Sequence, residues 1–88
     1  MRLDKFLKVS QIIKRRTIAK ECVDRGLVML NSKTAKASTE VKVNDILEVD
    51  IKNKIYVYRI ENILEFATEE KAKTMYVLLE EKDKWISL

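Results

Sequence analysis

Seven cationic side chains fall within the first twenty residues, Arg2, Lys5, Lys8, Lys14, Arg15, Arg16 and Lys20, and Lys33 and Lys36 follow them. Side chains of this kind neutralise phosphate and release its condensed counterions, and the planar guanidinium of arginine can grip two oxygens at once. Asp4 stands among them. A carboxylate repels phosphate, so its expected part is to cap a helix or to hold a neighbouring arginine in position. Thr17 and Asn31 can donate to a phosphate or a base edge, and serve equally well as a helix cap and a turn residue. Tyr56 and Tyr58 alternate along one stretch, as in a base-stacking platform or in ordinary sheet packing.

Other chemistries are poorly supplied. The 88 residues contain no histidine and a single cysteine, which excludes Ser-His-Asp and Cys-His catalysis and the usual imidazole zinc site. One glycine is too few for a phosphate-cradling loop. The fourteen carboxylates could include a catalytic pair, but so short a mixed domain leaves little room for a substrate-enclosing cleft. No enzymatic activity, cofactor or metal is therefore expected. The lone thiol, Cys22, points to a reducing compartment and to a packing role. The longest stretch without a charge, residues 26–32, is far shorter than the roughly 20 apolar residues of a membrane span. Arg2, Asp4, Lys5 and Lys8 leave no apolar segment for a signal peptide. The expectation is a cytoplasmic protein with no membrane contact.

The charge is unevenly divided. Residues 1–44 carry eleven Lys and Arg against four Asp and Glu, a net +7, while residues 45–88 carry seven against ten, a net −3. A basic half on a small domain is the footprint of a polyanion binder, and nucleic acid is the leading candidate.

These side chains need elements to position them. Leu3, Phe6 and Leu7 at helical spacing predict a first helix over 2–8, with Lys5 and Lys8 on the opposite face. A second helix is predicted from Thr17, as its N-cap, to Arg25, burying Ile18, Ala19, Cys22 and Val23 and closed by Gly26. Between them the phase breaks, so residues 10–16 form a bend. Val28 and Leu30 then alternate with Met29 and Asn31, Asn31-Ser32 makes a turn, and residues 33–37 return as a short strand. Asn44-Asp45 and Asn53 mark further turns around strands at 46–51 and 55–60, with residues 63–66 as an extension. Thr68 caps a final helix in which Ala72, Met75, Tyr76 and Leu79 follow helical spacing. The pattern has no place for Trp85.

The segments M-R-L-D-K-F-L, K-R-R-T-I-A-K, R-G-L-V-M-L-N, T-A-K-A-S and N-D-I-L-E-V occur in this order and spacing over residues 1–51. That string resembles the S4 RNA-binding domain. The resemblance implies an α+β fold of the αL type: two N-terminal helices packed on a small, mostly antiparallel sheet, with a C-terminal helix. The chain is then one domain, 1–88, with an RNA-binding core over 1–51 and an extension over 52–88. Arg16 matches the family's arginine at the start of the second helix. Arg2, Lys5, Lys8, Lys14, Arg15, Thr17, Lys20, Asn31, Lys33 and Lys36 share the implied RNA face, with Asp4 orienting.

The opening M-R-L-D-K-F-L-K-V-S and the late A-K-T-M-Y-V-L-L extend the likeness to stand-alone S4 proteins of bacterial ribosome-associated quality control, relatives of the longer and more basic heat-shock S4 protein. This implies a monomeric factor on stalled large ribosomal subunits that touches ribosomal RNA and peptidyl-tRNA and supports alanine tailing of nascent chains by a partner factor. Two turns depart from the family pattern: Ser32 replaces a glycine, and Val43-Asn44 replaces Pro-Gly. Two other readings stay open. The chain could be the RNA-targeting part of an RNA-modifying enzyme, or a protein-interaction module using Trp85 and the acidic segment 80–83.

Overall fold

The computed structural model describes residues 1–84. Helix α1 (Leu3–Val9) and helix α2 (Arg16–Asp24) precede strands β1 (Val28–Leu30), β2 (Lys33–Thr34), β3 (Ile46–Ile51) and β4 (Lys54–Ile60), the one-turn helix α3 (Glu69–Ala72) and strand β5 (Tyr76–Asp83). The strands form one antiparallel sheet in the order β2-β1-β3-β4-β5. Among the described residues no helix is long and apolar enough to cross a membrane.

The apolar stripe of α1 is fully used: Leu3, Phe6 and Leu7 have no exposed surface and pack with Ala19 and Val23 of α2 and with Val28, Leu47 and Val49 of the sheet. Register explains the sheet's share, since Val28 faces Val49 and Leu30 faces Leu47 across the β1/β3 pair. Ile60 and Met75 complete the core beyond the β4 end. Ser10 is buried at the end of α1, where its hydroxyl donates to the Leu7 carbonyl at 3.2 Å. The chain then turns through Gln11 at φ 63° into the expected bend.

Turns make the tight connections. Asn31 and Ser32 (φ 52° and 66°) and Lys52 and Asn53 (φ 53° and 63°) put two successive residues in the left-handed region, the geometry whose twist matches a two-residue hairpin. Asn44 is likewise left-handed at φ 77°. The departures at Ser32 and Asn44 thus keep glycine-like backbone without glycine. Gly26 ends α2 at φ 76°, as the sequence predicts.

The structure corrects five expectations. Helix α2 starts two residues earlier than a Thr17 cap would give, so Arg15 and not Thr17 is its N-cap, with no side-chain cap bond. Ile18 is 43% exposed and lies outside the core, and Cys22 is only half-buried, because Ala19 and Val23 supply the apolar face of α2. The return strand after Ser32 is two residues long. Residues 63–66 do not extend β4. The long C-terminal helix is absent: Thr68 does cap a helix, accepting from the Lys71 N–H, but Thr74 Oγ1 donates to the Lys71 carbonyl and the chain leaves as β5. The open edge of β4 is the reason. Its N–H and C=O groups need a partner, and Tyr76 and Val77 suit a strand at least as well as a helix. Trp85 lies outside the described residues.

Candidate nucleic-acid interface

Helix α1 needs partners for the N–H groups of its first turn. The loop after β2 supplies them, with the Thr39 carbonyl accepting from Leu3 at 2.8 Å and the Ala37 carbonyl from Asp4 at 3.2 Å. An isolated bridge between Arg2 and Glu40 extends the join. The loop that carries Lys36 is therefore docked beside Arg2 and Asp4.

Asp4 is the hub. Only 2% exposed, it accepts from Arg2 Nε at 3.2 Å and Arg2 Nη2 at 3.3 Å, and from Arg16 Nη2 at 3.4 Å. Arg16 Nε lies 3.4 Å from Oδ2, and the Lys5 N–H donates to Oδ1 at 2.8 Å. Burial works against the charged carboxylate, but the hydrogen bond from Arg16, the Lys5 N–H, the Arg16 charge and the Arg2 hydrogen bond outweigh it and hold the carboxyl below its ordinary range. Two guanidiniums from residues fourteen positions apart are thus fixed side by side. Each has five N–H donors and commits two groups to Asp4, and the Arg2 and Arg16 side chains remain 50% and 47% exposed. The unused donors form a preorganised double fork suited to phosphate.

Beside this fork lies an open groove of about 570 Å³, lined by Lys5, Lys8, Lys14 and Arg16 together with Glu65, Phe66 and Glu69. Lys5 pairs with Glu65, which lowers the Glu65 carboxyl through that hydrogen bond and the lysine charge. Lys8, Lys14 and Arg15 are exposed and form no ion pair among the described residues.

The remaining candidates are spread around this centre. Lys20 is exposed on α2, four residues from Arg16, and pairs with Asp24 at 3.3 Å. Thr17 is exposed. Lys33 and Lys36 are exposed on β2 and its following loop. Asn31 is committed to the fold: its amide donates to Asp45 Oδ1 at 3.1 Å and accepts from the Ile46 N–H at 2.9 Å. Tyr56 and Tyr58 stack at 6.3 Å, and Tyr58 meets Tyr76 edge-on at 5.1 Å. Burial, with Tyr76, Tyr56 and Glu81 nearby, pushes the Tyr58 hydroxyl up to about 12. Tyr58 and Tyr76 pack against the core and Tyr56 stacks on Tyr58, which favours the packing reading.

The sequence pattern places Glu65 and Phe66 in a strand and gives no sign that they line the groove. Their proximity to Lys5 spans sixty positions, and only the folded chain brings them together. The available signal was Phe66 itself, an aromatic among Glu65, Thr68, Glu69 and Glu70 with no matching apolar period.

Comparison with known proteins is consistent with this geometry. Residues 1–47 match the S4 domain. The chain is 46% identical over 81 residues to the RQC P-site tRNA stabilizing factor of Streptococcus pneumoniae, covering 92% of each protein. It is 45% identical over 82 residues to the protein of the same name from Bacillus subtilis, covering 93% of this chain and 95% of that one. Its fold superposes with a TM-score of 0.84 on heat shock protein 15 of Vibrio cholerae, solved as a trimer, at 26% identity over 89% of this chain and 80% of that one. With domain, length and fold in agreement, the chain belongs to the S4 domain family, in its branch of RQC P-site tRNA stabilizing factors.

Proposed function

We propose that this protein is a non-catalytic RNA-binding factor of the cytoplasm that holds tRNA on stalled large ribosomal subunits during ribosome-associated quality control. The observation that carries this reading is identity of 45–48% over nearly the whole of both chains to relatives named for stabilising P-site tRNA. The physical support is the fork at Asp4 and the cation-lined groove beside it, contiguous through Arg16, which together offer several phosphate contacts. Arg2, Lys5, Lys8, Lys14, Arg15 and Arg16 form the centre of the RNA face, with Lys20, Lys33 and Lys36 at its margin, and Asp4 orients the two arginines. By holding tRNA in place, a monomer of this factor supports the alanine tailing carried out by its partner. The preceding core and following extension act as one unit in this task.

A face that bridges ribosomal RNA and tRNA gains from linkage, because the first contact raises the effective concentration of the second. Occupancy should therefore rise sharply when both RNAs are present. The test is pelleting with purified large subunits, with and without peptidyl-tRNA in the peptidyl site. Preferential pelleting with the tRNA-bearing subunits is expected. Equal pelleting would reduce the protein to a general ribosomal RNA binder, and no pelleting in either sample would favour an interaction module built on the acidic half.

A further inference from the structure

Phe66 is 88% exposed, whereas the other exposed large hydrophobics among the described residues lie between 39% and 48%. It takes no place in the core. Leaving a phenyl ring in water forgoes the stabilisation that burying it would bring, so its position calls for an account. The ring lies at the groove lined by Lys5, Lys8, Lys14 and Arg16, with Lys5 Nζ 5.9 Å from its centroid, within cation–π reach. The same ammonium is held by Glu65.

We propose that Phe66 is a stacking platform for one unpaired RNA nucleobase, with Lys8 and Lys14 taking the flanking phosphates. An open aromatic face beside Lys8 and Lys14, which have no carboxylate partner among the described residues, is the combination a single-stranded nucleotide requires, a π-surface for the base and charge for its backbone. Four cations against Glu65 and Glu69 make the groove complementary to a polyanion. Its volume, about 570 Å³, admits a base with part of its sugar-phosphate. Phenylalanine has no polar handle, so the platform accepts any base. The Lys5–Glu65 pair holds the ammonium near the ring, and an arriving phosphate competes with Glu65 for it. This inference rests on the RNA-binding reading and adds a contact that phosphate neutralisation does not supply.

The experiment uses the full chain with large subunits carrying peptidyl-site tRNA, and compares wild type, Phe66→Ala, Phe66→Trp and Arg16→Ala by affinity and by ultraviolet cross-linking with peptide mapping. Because Phe66 is exposed, Phe66→Ala should keep its circular dichroism and unfolding midpoint. It should lose about 10-fold in affinity, the scale of one base–aromatic contact, and Phe66→Trp should restore it. In the wild type the peptide containing Phe66 should carry a cross-linked nucleotide. If Phe66→Ala binds like wild type and its peptide carries no nucleotide while Arg16→Ala loses binding, the platform is overturned and the RNA-binding reading stands. A wild type with no RNA cross-link at any position would overturn both. Loss in Phe66→Ala that Phe66→Trp does not repair, with the peptide cross-linked to a ribosomal protein, would replace the nucleobase with a protein contact.

Discussion

At the scale of single residues, the site depends on one buried carboxylate serving two arginines. Arg16→Ala should abolish most ribosome binding and leave the fold intact, since the Arg16 side chain is half exposed and lies outside the core. Arg16→Lys should restore charge without the fork and rescue only part of the binding. Titration of both variants against large subunits, with circular dichroism as the control, measures this. Asp4→Asn should act differently, by releasing both guanidiniums and removing charge-assisted hydrogen bonds, at a cost of about 1.5–3 kcal/mol in folding stability. The folded-state carboxyl of Asp4 lies below its unfolded value, so its stabilisation is fully present at neutral pH and fades as pH falls below about 4 through the lowered folded-state value. Denaturant unfolding at neutral and acid pH should show that acid loss reduced in Asp4→Asn. The sequence points to Arg16 through its motif and to Asp4 through its odd sign among cations. It could not disclose that one carboxylate serves both arginines, because that follows from how α1 and α2 pack.

Elements were readable in the sequence where a local rule had no competitor. The α1 stripe, the Gly26 terminus and the Asn-containing turns all follow from period or backbone geometry within a few residues. The segment after Thr68 was not readable, because Ala72, Met75, Tyr76 and Leu79 fit a helix and only the unpaired edge of β4, supplied by the tertiary fold, selects the strand. Ile18 misled for a related reason: the face of α2 that becomes buried is set by the angle at which it meets α1. The turns make a paired prediction of opposite sign. Ser32 holds φ 66° with a Cβ that disfavours it, so Ser32→Gly should stabilise the protein by about 0.5–1 kcal/mol, the left-handed penalty less the extra chain entropy of glycine. Gly26 holds φ 76° with nothing within 4 Å of an added Cβ, so Gly26→Ala meets backbone strain alone and should destabilise by about 1 kcal/mol. Urea unfolding of the two variants beside wild type measures both. Equal midpoints in all three would mean that the α2 end and the β1/β2 turn relax away from these dihedrals.

Across the whole molecule, charge follows the fold. The basic half of the sequence forms α1, α2 and the β1/β2 hairpin, and the acidic half forms β3, β4, β5 and α3. Several cations in the acidic half are neutralised on site: Lys54 pairs with Glu81 at 2.8 Å, Arg59 with Glu61 at 2.7 Å and Lys84 with Asp50 at 3.0 Å. Lys8, Lys14 and Arg15 have no such partner among the described residues, and Arg2 and Arg16 share a single carboxylate. Each phosphate bound by a cation lowers log K by about 0.7–0.9 per unit of log salt, so a face with five such contacts should give a slope of about −3.5 to −4.5. Charge excess alone would predict that any lysine matters equally. The pairing pattern predicts otherwise: Lys14→Ala should make the slope shallower by about 0.7–0.9, the share of one contact, and Lys54→Ala should leave it unchanged. Affinity for large subunits measured over a series of salt concentrations decides between them. Equal changes from Lys14→Ala and Lys54→Ala would mean that RNA responds to net charge and not to a localised face, whereas a change confined to Lys14→Ala places the phosphate contacts on the groove beside α1.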